Sequence, residues 1–375
     1  MLGFILKDNL FREEEFRWVF KNSDINFWII ILVLILFLII NIVEFRYKIR
    51  INLLLIRLFY LIRLRRLVNF FLLYEIVFVL IIFAIIVLGY RYERLIARFI
   101  IIFYSFIFSR PVLIMILLFD NVFLIKEWLN YRILLRYFFV GSFIVKFPIF
   151  GFHYWLPVAH VEASTVGSIL LAGVLLKLGS VGLVYVIMYL KFIVKFHWLA
   201  LRVRLTMLII LRLRDLKIMI AYSSVAHISI VFYILILGYR VGKKGRVYII
   251  FYHGFISPLI FWVVGMLAWW KTRSLLVVKM ISFSYIFLLV LFLLFIINIS
   301  FPPFIGFIRE ILILKVLVLN YWVLGVIIIA ILFRCYYNVY LFWCFNGFLG
   351  RVYKINLYNF DLFIFLGFVI FINLY

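Results

Sequence analysis

Glutamine is absent from the chain, and cysteine, proline and acidic residues are scarce: 375 residues hold 2 Cys, 6 Pro and 14 Asp plus Glu. Cys335 and Cys344 stand nine apart in an apolar stretch, a spacing that offers no metal cluster, so both are expected to pack. No glycine-rich nucleotide loop, flavin fingerprint or iron–sulfur cysteine set is present. No redox catalysis is therefore expected in this chain itself. The first residues carry Lys7, Asp8, Arg12, Glu13, Glu14 and Glu15 without an apolar core before them, which is not the pattern of a cleavable leader.

What the chain has in excess is apolar surface: 69% hydrophobic residues and a mean hydropathy of +1.28, with 46 Phe and 24 Tyr. A soluble fold cannot bury that share. The skew resembles the codon usage of a small AT-rich organellar genome. Apolar runs of about 20 residues follow one another, the length that crosses a hydrocarbon layer as a helix, and they lack the alternation of barrel strands. The expected fold is an all-α integral membrane protein, a polytopic bundle of about twelve helices. The segments fall near 27–43, 50–67, 69–89, 98–119, 131–152, 164–190, 196–213, 216–238, 247–268, 280–300, 304–345 (two helices) and 358–375. Residues 1–26 read as a short N-terminal extension and 27–375 as one transmembrane domain. The arginine-rich segments 50–67 and 196–213 also fit amphipathic helices in the interface.

The net charge of +25 would suggest nucleic acid in a soluble chain. Here the basic residues are scattered between apolar runs, so snorkelling side chains that meet anionic lipid such as cardiolipin are the expected reading, with no nucleic acid. Nearly every loop is basic, so charge does not orient the chain.

Ionisable residues inside the apolar runs carry the functional signal, because a charge at the bilayer centre is costly unless paired or hydrated. Glu75 is the single charge between Arg66 and Arg91. Lys146 and Lys177 lie far from the ends of their runs. A lysine suits a switchable site: apolar surroundings favour its neutral form and a nearby carboxylate its charged one. Glu310 follows Pro302-Pro303, and Lys146 sits beside Pro148, so two helices should be broken next to an ionisable residue. His227 and His253 lie in apolar helices, where a neutral imidazole both donates and accepts. His153 and His160 flank Trp155-Leu156-Pro157 and are expected to organise structure, and His197 to be interfacial.

The stretch KFPIFGFHYWLPVAHVEASTVGSILLAGVLLKLGSVG, residues 146–182, resembles the antiporter-like membrane subunits of the proton-pumping NADH:ubiquinone oxidoreductase, respiratory complex I. The run A-H-V-E-A after W-L-P is similar to the fourth-subunit branch found in mitochondria. DLKIMIAYSSVAHISIV (215–231), His253-Gly254, Pro302-Pro303 with Glu310, Tyr74-Glu75 and YERLIAR (92–98) extend the resemblance over roughly 74–310. Four features depart from the family pattern: Ser164 where proline is usual, Arg309-Glu310 where Gly-Glu is usual, an unusual abundance of arginine inside helices, and an expected loss of the first two spans. The resemblance implies a proton path in which Glu75 and Lys146 form the coupling ion pair, Lys177 with His227 or His253 the central relay, and Glu310 the exit. It implies a multi-pass place in the mitochondrial inner membrane. NAD, FMN, iron–sulfur clusters and ubiquinone would belong to other subunits, and the partners would be other membrane-arm and supernumerary subunits of complex I. Cation/proton antiporter and membrane-hydrogenase subunits share these motifs, and a structural subunit with a decayed path is a third reading.

Overall fold

The structure is a computed structural model that describes residues 33, 71–72, 74–79, 92–118, 133–190, 198–237, 240–268, 274–275, 282–283, 285–302, 304–318, 321–346 and 354–355. The segments expected at 50–67 and 358–375, nearly all of 27–43, the boundary at 26/27 and His197 lie outside the described residues.

Helices dominate because each apolar run must satisfy its own backbone hydrogen bonds within lipid. After a helical stretch at 71–72 and 74–79 come α1 (Tyr92–Leu118) and α2 (Ile133–Lys146). Next are the short α3 (Trp155–Glu162), α4 (Thr165–Leu170), a π-helical turn Leu171–Leu175 and α5 (Leu176–Leu190). They are followed by α6 (Trp198–Arg212), α7 (Leu216–Leu237), α8 (Arg240–Ala268), α9 (Tyr285–Ile299), α10 (Ile305–Leu317) and α11 (Tyr321–Phe345). Two dipeptide strands, β1 (Ser282–Phe283) and β2 (Lys354–Ile355), pair in parallel. Three of the described helices are long and apolar enough to cross a membrane unaided, at Thr165–Val184, Leu216–Ile234 and Leu324–Phe345.

The helices are ordered by how much of them faces protein. The apolar window of Thr165–Val184 is buried throughout, whereas that of Leu324–Phe345 is 39% buried. The π turn and α5 are therefore the axis of the bundle, and α11 is an outer helix. α2 and α8 pack against this axis, α7 and α10 against α8, and α6 bridges α7 and α11. Gly182 lets α5 approach α2: a methyl group there would lie 2.1 Å from the Phe143 ring. α6 is amphipathic, with Val203, Thr206, Met207 and Ile210 buried and Arg204, Leu208, Leu211 and Arg212 exposed.

Both expected breaks occur. α2 stops at Lys146, two residues before Pro148, and the chain turns through 147–154 before α3; the run 131–152 is thus not one continuous span. α9 ends at Ile299, Ser300 adopts a left-handed φ of 69°, and α10 starts only at Ile305. Proline cannot continue the helical ladder at either place. Sequence patterning did not foresee the π turn, since one extra residue per turn leaves the apolar run unchanged.

Candidate functional site

Glu75 and Lys146 form an ion pair across the first interface. Lys146 is the last residue of α2, and its side chain is 2% exposed against 18% for Glu75. The ammonium lies over the rings of Phe71 at 4.7 Å and Tyr74 at 4.6 Å, with Phe78 at 5.9 Å, so three faces of one helical stretch share its charge. Tyr74 links this pair to the axis. Its hydroxyl makes a long bond to the Leu175 carbonyl in the π turn, at 3.5 Å, and Gly179 brings α5 against the Lys146 backbone.

Lys177 stands two residues beyond the π turn. Its ammonium donates to the Ala172 carbonyl at 3.1 Å, five residues back, and lies 2.6 Å from Nδ1 of His253 on α8. The π turn shifts the backbone register, so a lysine on the axis can reach one of its own carbonyls while facing a histidine on the neighbouring helix. Ser257 donates to the His253 carbonyl at 2.7 Å. The His253 ring centre is 5.3 Å from that of His227 on α7, and both residues are buried. His227 in turn lines a cavity together with Glu310 and Arg334. Glu310 and Arg334 pair within it.

Six ionisable residues singled out in the sequence thus fall into three contiguous groups: Glu75 with Lys146, Lys177 with His253 and His227, and Glu310 beside the His227 cavity. Lys146 and Lys177 do not touch; Tyr74, Gly179 and the π turn fill the step between them. His153 and His160 are built into the packing as expected. His153 stacks on Phe150 at 4.6 Å and accepts from the Gly151 N–H at 3.1 Å, while His160 is fully buried and stacks on Phe261 at 4.2 Å. Cys344 is buried and Cys335 half-buried, and neither takes part in a disulfide among the described residues.

Sequence reasoning passed over Arg334, Lys217 and the Asn298–Asn338 pair. Lys217 is buried and donates to the Ala163 carbonyl at 3.1 Å. Arg334 had a signal: it is a charge inside an apolar run, the criterion that picked out Glu75. The side chain of Arg309 lies outside the described residues.

Residues 64–334, more than half of the chain, match the family model described as NADH:quinone oxidoreductase/Mrp antiporter, transmembrane. The chain belongs to this family of antiporter-like membrane proteins. Among individual proteins it is similar to the NADH-ubiquinone oxidoreductase chain 4 of Ascaris suum, 33% identical over 270 residues that make up 68% of this chain and 64% of that one. It is also similar to chain 4 of Acanthamoeba castellanii, 43% identical over 47% of this chain and 37% of that one, and of Aedes aegypti, 37% identical over 68% and 60%. The chain therefore spans less than two thirds of the length of these relatives. In fold it is similar to a chain of respiratory complex I from Thermus thermophilus, with a TM-score of 0.76 at 18% identity, covering 94% of this chain and 78% of that one. A chain of the Mrp complex from Dietzia matches with a TM-score of 0.72 at 13% identity, over 87% and 65%.

Proposed function

We propose that the chain translocates protons as a membrane-arm subunit of respiratory complex I in the mitochondrial inner membrane. The coupled oxidation of NADH and reduction of ubiquinone, with FMN and iron–sulfur clusters, are assigned to other subunits of that complex. The reading is supported above all by Lys177, on the most deeply buried of the described spanning helices, in hydrogen-bond contact with His253 of α8, with His227 next in line. The chain-4 relatives support the choice of complex.

Three properties of the groups make the arrangement suited to passing a proton. A lysine beside a carboxylate holds its proton, and one parted from its carboxylate in apolar surroundings releases it, so opening and closing the Glu75–Lys146 pair alters what Lys146 offers its neighbours. Low polarity makes each charge felt over several ångströms. Imidazoles accept on one nitrogen and donate from the other, so Lys177, His253 and His227 can hand a proton along without any of them leaving its helix. Exposed aromatic and aliphatic side chains on α1 and α11 suit contact with lipid, cardiolipin included, or with neighbouring subunits of the complex.

The test is Lys177→Ala in the intact complex, purified and reconstituted into vesicles, with a subunit inventory by mass spectrometry. Proton uptake per NADH oxidised is expected to fall sharply, and flavin-bearing and iron–sulfur subunits are expected to co-purify. Undiminished pumping would make the chain a structural subunit. Co-purification with Mrp-type antiporter subunits alone would place it instead in an assembly like that of Dietzia, whose chain shares the fold.

A further inference from the structure

The break between α9 and α10 frees backbone carbonyls that no helical turn can satisfy. Arg334, in the middle of α11, answers one of them: its Nη2 donates to the Ile299 carbonyl at 3.1 Å and pairs with Glu310 on α10. The arginine side chain is 4% exposed and that of Glu310 14%. One turn further on, Asn338 donates to the Arg334 carbonyl at 2.9 Å and accepts from Asn298 of α9 at 2.8 Å. Three elements therefore hold the guanidinium in one place. The Glu310–Arg334 pair lines the cavity that His227 also faces, walled further by Ile230, Ile313, Ile327 and Ile331 and with room for about one water molecule.

We propose that Arg334 is the positioning residue of Glu310, a fixed counter-charge that latches the carboxylate against α11 and must release it before it can accept a proton across the cavity from His227. The inference rests on the proton-path reading above. Arginine and lysine differ in a way that decides the role. Lys146 can surrender its proton, so the Glu75 pair can be a relay, whereas a guanidinium stays charged at any pH the membrane meets. Arg334 takes no part in the transfer. The proton leaves a ring nitrogen of His227 and arrives on a carboxylate oxygen of Glu310, by way of a water in the cavity, and Arg334 sets when that oxygen is available. A buried carboxylate that loses its counter-charge becomes neutral by protonation, because the bare charge is too costly in apolar surroundings.

The experiment compares Arg334→Leu, Arg334→Lys, Glu310→Gln and the double variant Arg334→Leu/Glu310→Gln in the assembled complex, by coupled turnover and by the infrared band of protonated carboxyl groups. Arg334→Leu is expected to lose about tenfold or more of coupled turnover. It should gain a carboxylic-acid band that the double variant lacks, and Arg334→Lys should recover most of the turnover without the band. Arg334→Leu with unchanged pumping and no new band would overturn the latch. If the single variant fails to accumulate, the double variant decides: it should assemble at least as well as Glu310→Gln, and poorer assembly would reduce Arg334 to a support for the Ile299 carbonyl. Lys177→Ala separates the two claims. Normal pumping in Lys177→Ala removes the proton-path reading itself, while loss there with an indifferent Arg334→Leu removes only the latch.

Discussion

At the scale of single residues, the energetics rest on charges that cannot be left alone. Lys146 is enclosed by Phe71, Tyr74 and Phe78 and neutralised by Glu75. Removing one partner of such a buried pair costs roughly 3–5 kcal/mol, far more than the pair contributes over an apolar replacement. Glu75→Gln keeps the shape and leaves Lys146 uncompensated, so Lys146 should lose its proton and the pair its switching. On the proposed reading, coupled turnover should then fall by about tenfold or more, while NADH oxidation by a soluble dye acceptor, which needs no proton path, stays unchanged. Equal loss of both activities would show a failure of assembly instead. Glu75, Lys146, Lys177 and Glu310 were legible from sequence because a charge inside an apolar run has few bland explanations. That His253, rather than His227, contacts Lys177 was not legible, since both histidines lie within apolar stretches of their helices and the packing of α8 on the axis distinguishes them.

Helix ends and close approaches decide how the elements sit. Ser164 caps α4, its hydroxyl accepting from the Gly167 N–H at 3.1 Å. The backbone there still suits proline. Ser164 has φ −59°, and Ala163 before it has φ −68° and ψ 147°, the extended region a residue before proline prefers. Ser164→Pro should therefore be tolerated, since losing the cap costs about 1 kcal/mol and the stiffer unfolded chain returns a similar amount. Thermal stability of the complex within a few degrees of the parent would bear this out. Gly182→Ala should behave in the opposite way. Its methyl group meets the Phe143 ring, and overpacking of this kind costs about 1–3 kcal/mol, read as reduced heat resistance of the assembled complex. The two proline breaks could be placed from sequence because proline's constraint is local. The π turn could not, because it is a register shift within a uniform apolar stretch.

Across the whole molecule, burial is graded from the axis outward. Phe99, Phe103 and Phe106 on α1, and Leu332, Tyr336, Val339 and Trp343 on α11, recur at helical spacing and are exposed. In a membrane such faces meet lipid or other subunits, and a charge there has no partner. Phe103→Asp should cost roughly 2.5–3.5 kcal/mol of insertion. The check is the fraction of chain that resists alkaline extraction from membranes, which should fall, whereas Phe103→Leu should leave it unchanged.

By itself the sequence determined the class of fold, the breaks beside Lys146 and Glu310, and the short list of ionisable residues set inside apolar runs. Each follows from a local rule: apolar length, proline's missing donor, or the cost of charge in hydrocarbon. Only the tertiary structure decided which of these residues meet. Whether Lys177 faces His253, whether His227 shares a cavity with Glu310, and whether the carboxylate's partner comes from α11 all depend on helices far apart in the chain. Helix packing sets these distances through shape and rotation about each axis, and an apolar run of nearly uniform character leaves that rotation open.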